Sequence, residues 1–137
     1  MIVFIDTNIP MYAAGKEHPL KDSCLDIMRS VASGDLKAYT DTEVFQEILY
    51  RYFSINKREF GLQLFDTYSL IMHGSVLSVH HEDMILARKL SDEISNAILS
   101  PRDLIHLAVM LNHGIGHIIT TDRAFEKIGS IQVIYPF

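Results

Sequence analysis

The sequence predicts an α/β fold: a three-layer α/β/α domain with a central parallel sheet of about four to five strands. Short apolar runs that suit buried strands alternate along the chain with longer segments of helical periodicity. The first run, residues 2–5, contains no polar side chain, which is typical of a strand covered on both faces. Two helices in succession between the second and third strands indicate an inserted helical arm.

Local signals place the elements in order. After the first strand, a helix begins near Asn8 or Ile9 and ends at Gly15. The next helix, residues 19–33, has apolar side chains at helical spacing and stops at Gly34. Ser100 and Pro101 mark a helix start, because a capping residue precedes a proline in the first turn. The other predicted strands are residues 36–39, 76–79, 117–120 and 131–134, and the other helices are residues 40–52, 58–73, 81 or 82 to 95, 101–113 and 122–127.

Composition favours a compact soluble protein of one domain, residues 1–137. The chain is 48% hydrophobic and 21% charged, which excludes a disordered protein. Its net charge of −5 argues against nucleic-acid binding by bulk electrostatics alone, although bound cations could neutralise its acids. The single cysteine, Cys24, excludes an intrachain disulfide and a cysteine zinc cage. With no signal peptide and no apolar stretch of about 20 residues, no membrane association and a cytoplasmic location are expected.

Four acids stand out by their positions. Asp6 follows the first strand and Asp122 follows the fourth, where ligands bind in open α/β sheets. Asp103 lies in the first turn of a helix, and Glu47 lies mid-helix beside apolar residues. Buried carboxylates must be paired, protonated or bound to metal. If these acids converge, a hard divalent cation such as Mg²⁺ would suit them.

Each acid also has a structural explanation. Asp6 and Asp122 could cap the helices that follow them, and Asp103 could complete a capping box with Ser100. Glu47 could form an ion pair with Arg51, one helical turn away. Glu43 is assigned to a further capping box, with Thr40 as the first residue of its helix. The joint pattern of the four acids is more informative than any one of them.

The residues also resemble a known family, the PIN-domain ribonucleases, and in particular the VapC-type toxins of prokaryotic toxin–antitoxin pairs. Four motifs carry the resemblance and occur in the family's order over nearly the whole chain. They are Asp6-Thr7-Asn8, residues 42–47, Pro101-Arg102-Asp103-Leu104-Ile105-His106-Leu107-Ala108 and Thr120-Thr121-Asp122-Arg123-Ala124-Phe125. Pro10, close behind the first motif, departs from the family pattern without touching its acids.

The resemblance implies an RNA-cleaving enzyme with one or two Mg²⁺ or Mn²⁺ ions. The family's catalytic and metal-binding acids fall on Asp6, Glu47, Asp103 and Asp122. Supporting polar roles fall on Asn8, or else Thr7, and on Thr121. In the expected mechanism, the metal activates a water that attacks the RNA phosphate in line. The resemblance further implies a cognate antitoxin that covers the site, and a homodimer.

Basic residues could guide the RNA despite the negative net charge. Candidate substrate contacts are Arg51, Lys57 and Arg58 on the helical arm, and Arg102 and Arg123 beside two of the acids. Aromatic residues interleave with the first group and could stack on bases, or could instead belong to the core. These aromatic residues are Tyr50, Tyr52 and Phe53.

Two other functions remain open at this point. The chain could be a non-catalytic RNA-binding protein or a member of an RNA-processing complex, although all four acids are present. It could also be another phosphoryl-transfer enzyme, such as a small phosphatase. His113 and His117 lack partner cysteines, so a zinc site is not expected, and His106 is interpreted as a core histidine.

Overall fold

The sheet has five parallel strands. The computed structural model describes residues 1–94 and 99–137. In chain order the strands are β1 (Ile2–Ile5), β2 (Lys37–Asp41), β3 (Val76–Leu77), β4 (His117–Ile119) and β5 (Gln132–Ile134), and their spatial order is β3-β2-β1-β4-β5. The strand count and the three-layer architecture confirm the predicted fold.

Helices cover the sheet and form the inserted arm. They are α1 (Asn8–Ala14), α2 (Lys21–Ser33), α3 (Thr42–Ser54), α4 (Arg58–Ile71), α5 (His81–Glu93) and α6 (Pro101–Asn112), with a 3₁₀ helix at Arg123–Lys127. The arm predicted between the second and third strands is the pair α3 and α4, which pack against each other. The predicted end of α5 at Ser95 lies outside the described residues.

The central position of β1 fixes the place of Asp6. Strand β1 pairs with β2 on one side, where Phe4 aligns with Tyr39, and with β4 on the other, where Ile5 aligns with Ile119. Val3, Phe4 and Ile5 are fully buried, as the unbroken apolar run predicts, whereas Ile2 at the start of the strand is exposed. Asp6 therefore emerges at the middle of the carboxyl edge of the sheet.

The boundary between β2 and α3 corrects the sequence prediction. Strand β2 extends to Asp41, and α3 starts at Thr42 and not at Thr40. Asp41 caps the helix, because its side chain accepts a hydrogen bond from the backbone N–H of Val44. The expected capping box of Thr40 and Glu43 is therefore wrong. Asp41 becomes another acid at the carboxyl edge of the sheet.

Within residues 1–94 and 99–137, none of the helices is long and apolar enough to cross a lipid bilayer.

Candidate active site

A polar cavity of about 370 Å³ opens at the carboxyl edge of the sheet. Its position follows from topology, because β1 and β4 are neighbours and their ends deliver side chains to the same place. The start of α1, the middle of α3 and the N-terminal turn of α6 supply the remaining walls. The cavity is lined by Asp6, Thr7, Asn8, Met11, Glu47, Ser100, Arg102, Asp103 and Asp122. All four acids singled out in the sequence thus line one cavity.

Asp6 is the most buried of these four acids. Its Oδ1 accepts a hydrogen bond from the backbone N–H of Thr7 at 2.7 Å. Its Oδ2 accepts from the Thr120 hydroxyl at 2.6 Å and from the Asn8 amide at 3.3 Å. Burial raises the pKa of Asp6, although His106 and the Thr120 hydrogen bond act in the opposite direction. These hydrogen bonds orient the Asp6 carboxylate. The Asp6 side chain does not cap α1, which was the structural explanation left open by the sequence.

Thr120, and not Thr121, provides the supporting hydroxyl. Besides donating to Asp6, the Thr120 Oγ1 accepts a hydrogen bond from the backbone N–H of Asp122 at 3.0 Å. Thr121 contributes its backbone N–H, which donates to Asn8 Oδ1 at 3.2 Å. That bond fixes the Asn8 amide so that its nitrogen faces Asp6. The Thr120 hydroxyl thus makes the contacts that were expected of the Thr121 side chain. Asn8 lies at the cavity, as the sequence predicts.

Asp103 both caps a helix and lines the cavity. Its backbone N–H donates to Ser100 Oγ at 3.2 Å, and its Oδ2 accepts from the Ser100 N–H at 3.4 Å, which completes the predicted capping box. Burial, together with the nearby charges of Asp6 and Asp122, raises the pKa of Asp103 to about 6. Asp103 therefore makes the predicted capping contacts and also lines the cavity, while its role as a metal ligand stays a prediction.

Asp122 lies at the exposed rim of the cavity. Its Oδ1 accepts a hydrogen bond from the backbone N–H of Ala124 at 2.9 Å, so it caps the 3₁₀ helix as one sequence interpretation proposes. Neighbouring Arg123 pairs with Glu126 at 3.3 Å, and its guanidinium lies 5.2 Å from the Tyr135 ring centroid. The Asp122 carboxylate thus lies at the cavity, whereas the Arg123 side chain lies at the protein surface.

Glu47 is paired with residues that the sequence interpretation did not name. Its Oε1 lies 2.7 Å from His106 Nε2, and its Oε2 lies 3.8 Å from the Arg102 guanidinium. The ion pair with Arg51, the alternative explanation for Glu47, is not among the contacts of the described residues, and Arg51 is exposed. Arg102 lies at the cavity, as its neighbour Asp103 suggests.

His106 is fully buried between two carboxylates. Its Nδ1 lies 2.7 Å from Asp41 Oδ2, opposite the contact with Glu47. Burial alone would lower the pKa of His106, but Asp41 and Glu47 raise it well above its ordinary value. The core position predicted for His106 is correct. The partners were missed because β2 was predicted to end before Asp41.

Glu43 lies near this group without capping the helix. Burial raises its pKa, and the charges of Glu47 and Asp41 act in the same direction while His106 opposes them.

The basic residues of the arm lie apart from the cavity-lining set. Arg51, Lys57 and Arg58 are exposed, and the Arg58 guanidinium lies 4.5 Å from the centroid of the Phe53 ring. Tyr50 and Phe53 are exposed, whereas Tyr52 is buried in the core. Contact with RNA stays a prediction for all five basic residues, Arg51, Lys57, Arg58, Arg102 and Arg123. Of the three aromatic residues, only Tyr50 and Phe53 are exposed and could stack on bases.

The acids do not form a finished metal cage. In the part of the chain that the structure describes, no three His, Cys, Asp or Glu side chains are placed so that they could hold a metal ion. Asp6 and Glu47 direct oxygens at protein donors, as described above. Asp103 Oδ1 and Asp122 Oδ2 make no hydrogen bond to the described residues. Metal binding at this cavity therefore requires side chains to turn toward a common point.

The raised pKa of Asp103 predicts a pH dependence of stability in metal-free protein. The folded state holds the proton of Asp103 up to a pH of about 6, whereas the unfolded chain releases it near the ordinary value of 3.8. The free energy of unfolding should therefore fall as the pH rises between these values. Asp103→Asn should flatten that part of the profile, measured by urea unfolding across the range. Parallel profiles for variant and wild type would contradict the raised pKa.

Fold and cavity together define an α/β domain with an acidic site at the carboxyl edge of a parallel sheet. The chain belongs to the PIN domain family, which it matches over residues 3–131. It is 35% identical over 131 residues to Ribonuclease VapC13 of Mycobacterium tuberculosis, a match that covers 96% of this chain and 98% of that protein. This relative confirms the resemblance to VapC proteins that the motifs indicate.

Solved structures of VapC proteins share the fold. The DNA-bound VapBC of Salmonella typhimurium matches with a TM-score of 0.78 and 15% identity, covering 100% of this chain and 99% of that one. VapC20 of Mycobacterium tuberculosis, a toxin described as cleaving the sarcin–ricin loop, matches with a TM-score of 0.75 and 16% identity, covering 93% of this chain and 95% of that one. These matches confirm the predicted three-layer fold.

Proposed function

We propose that this chain is a divalent-metal-dependent endoribonuclease and the toxin of a toxin–antitoxin pair. The observation that carries the proposal is the convergence of Asp6, Glu47, Asp103 and Asp122 on one cavity. The relatives named as ribonucleases support the activity, because one of them aligns with nearly the whole chain. The cavity supplies what such an activity needs, namely several carboxylates at a site open to a polymer.

The donor chemistry of the cavity fits Mg²⁺ or Mn²⁺. Carboxylate oxygens are the ligands that these hard ions prefer. Burial and, after it, repulsion from Asp6 and Asp122 raise the pKa of Asp103, and a bound cation would relieve that repulsion. In addition, Thr7 Oγ1 is buried at the cavity and has no hydrogen-bond partner among the described residues. An oxygen of this kind is available to a ligand or to its bound water.

In this proposal each residue has a defined task. Asp6, Asp103 and Asp122 hold one or two ions, with Glu47 beside them. When bound, a divalent ion would lower the pKa of a nearby water and offset negative charge on the phosphate. Thr120 and Asn8 keep the Asp6 carboxylate in one orientation through their hydrogen bonds to its Oδ2.

Arg102 has a second task at the cavity rim. Its contact with Glu47 is long at 3.8 Å, and 45% of its side chain is exposed. It can therefore turn to an incoming phosphate, because the contact is long and the Arg102 side chain is half exposed, although Glu47 itself is mostly buried. Arg102 would then bind a phosphate oxygen of the RNA, as the sequence predicts.

The proposed activity is tested with two substrates. Labelled RNA and a small phosphomonoester are incubated with the protein with and without Mn²⁺ or Mg²⁺. We expect internal cleavage of the RNA only when metal is present, and no release of phosphate from the monoester. Release from the monoester alone would favour a phosphatase. Tight RNA binding without cleavage under any metal condition would favour a non-catalytic RNA-binding protein.

An apolar groove supports the antitoxin part of the proposal. The groove has a volume of about 180 Å³ between α1, α2 and α4, and its lining exposes apolar but no polar surface. A small apolar groove can receive an apolar side chain of a partner, since interface anchor residues commonly fill such pockets. The structural relatives include VapBC complexes, which suggests an apolar segment of an antitoxin as the occupant. The groove is lined by Pro10, Ala13, Ala14, Leu25, Met28, Leu64, Thr67, Tyr68 and Ile71.

The substitution Ala14→Arg tests this groove. An unpaired guanidinium placed against apolar side chains should weaken antitoxin binding by at least about tenfold, because its desolvation costs more than about 1.4 kcal/mol. The partner in the assay is the protein encoded by a neighbouring short reading frame, and affinity is measured by calorimetry. Ala32→Arg, at an exposed position of α2 outside the groove lining, is the matched control. Equal affinity of both variants and wild type would remove the groove from the proposal.

A homodimer and a cytoplasmic location stay predictions of the family resemblance and the composition.

A further inference from the structure

We infer that His106 is a positioning residue of this site, which holds the carboxylate of Glu47 in the orientation that serves the cavity. The inference rests on the proposed function, because it assigns a role within the same site. His106 lies within the third family motif, and the sequence predicts only a core position for it. The structure shows what it contacts.

His106 connects a buried acid with one that faces the cavity. Its ring is fully buried, with Nδ1 2.7 Å from Asp41 Oδ2 and Nε2 2.7 Å from Glu47 Oε1. Carboxylates accept hydrogen bonds, so both ring nitrogens donate when the two acids are ionised. A donor at each nitrogen makes the ring a rigid link between Asp41 and Glu47.

The far end of this link is itself fixed. Asp41 Oδ1 accepts the backbone N–H of Val44 at 3.0 Å, and Asp41 is fully buried. Asp41 therefore cannot rotate without breaking the cap of α3, the same helix that carries Glu47. His106, on α6, contacts α3 at two points, namely the cap residue Asp41 and Glu47. These two contacts hold α6 and α3 in a fixed relative position beside the cavity.

Glu47 needs such a partner because of where it sits. Backbone N–H groups in a helix interior are occupied by carbonyls of the preceding turn, so a mid-helix carboxylate has none to accept from. Asp6, Asp103 and Asp122 each accept a backbone N–H, whereas Glu47 is held from the interior by His106 alone among the described residues. With Oε1 fixed in this way, Oε2 is left on the side of Arg102 and the cavity.

A double-mutant cycle distinguishes positioning from a purely structural role. The variants are His106→Gln, Glu47→Gln and the two combined, and the readouts are Mn²⁺ affinity by calorimetry, kcat and KM for labelled RNA, and Tm. Loss of a side chain that orients a metal ligand costs about 10–100-fold in metal affinity or activity. We expect His106→Gln to lower Mn²⁺ affinity and kcat by that amount, with KM little changed. In the Glu47→Gln background, His106→Gln should cause no further loss, because Glu47 is the residue through which His106 is proposed to act.

Two controls keep the cycle decisive. His113→Gln makes the same change at the exposed end of α6 and should leave affinity and kcat as in wild type. If His106→Gln does not fold, Asp41→Asn replaces it in the cycle, since Asn also caps helices and leaves His106 in place. We expect this variant to lower Mn²⁺ affinity in the same direction, again with no further loss in the Glu47→Gln background.

Different outcomes overturn different claims. Additive losses in the cycle, or a lower Tm with unchanged affinity and kcat, would show that His106 is only structural, while the nuclease proposal would stand. A wild-type protein that neither binds Mn²⁺ nor cleaves RNA would refute the proposed function and, with it, the role of His106.

Discussion

Asp6→Asn should abolish metal-dependent RNA cleavage while the fold remains intact. Asp6 occupies the middle of the carboxyl edge and is the most buried of the four acids at the cavity. Its replacement by a neutral isostere would remove a charge that the proposed metal site needs. A metal ion bound there would contribute several kcal/mol of transition-state stabilisation, so we expect a loss of at least about 100-fold in kcat.

The stability of the Asp6→Asn variant is informative as well. Burial raises the pKa of Asp6, which means that the charged carboxylate is less favourable in the folded protein than in the unfolded chain. Near neutral pH and without metal, the variant should therefore be at least as stable as wild type, measured by Tm. Added Mn²⁺ should raise the Tm of wild type more than that of the variant.

Asp26→Asn is the matched control for this experiment. Asp26 lies on the exposed face of α2, where it pairs with Arg29 at 3.5 Å. The same chemical change there should leave cleavage unaltered, because the pair is exposed and distant in sequence from every residue of the cavity. Full activity in Asp6→Asn, or an equal loss in both variants, would contradict the proposed role of Asp6 as a metal ligand.

Thr120→Val should reduce kcat by about 10–100-fold, whereas Thr121→Val should leave it within a few-fold of wild type. The Thr120 hydroxyl donates to Asp6 and accepts from the Asp122 backbone, so it links two of the proposed metal ligands. Thr121 contributes a backbone N–H that valine retains. The two substitutions make the same isosteric change in adjacent residues, so each serves as the control for the other.

The measurement is kcat for labelled RNA at saturating Mn²⁺, with Mn²⁺ affinity by calorimetry alongside. The reverse ranking, with Thr121→Val the more damaging, would show that the role implied by the family motif is correct and that the Thr120 contacts are incidental. Equal small effects would indicate that the orientation of Asp6 depends on its other donors, Thr7 N–H and Asn8.

The fold was predictable because its signals are local and consistent with each other. The run of apolar residues in β1, the stop at Gly34 with a φ of 84°, and the Ser100–Pro101 start each identify an element without knowledge of its neighbours. The positions of Asp6, Asp103 and Asp122 follow from these elements, because they lie next to strand ends or in a first helical turn.

The missed residues depend on contacts between distant segments. His106 and Asp41 are 65 residues apart in the chain, and no periodicity links them. A signal for Asp41 was nevertheless present, since it lies at the carboxyl end of a parallel strand, as Asp6 does. The helix start placed at Thr40 concealed it. The choice between Thr120 and Thr121 turns on which hydroxyl reaches Asp6, and two adjacent threonines in one sequence cannot show that.

Anomalous scattering from crystals soaked in Mn²⁺ would test the central claim most directly. The account predicts a peak in the cavity, at ligating distance from Asp6 and from at least one of Asp103 and Asp122. The peak should be lost in Asp6→Asn crystals grown and soaked in the same way. An Mn²⁺ peak elsewhere with none at this cavity, or an unchanged peak in the variant, would contradict the claim that these acids form the metal site.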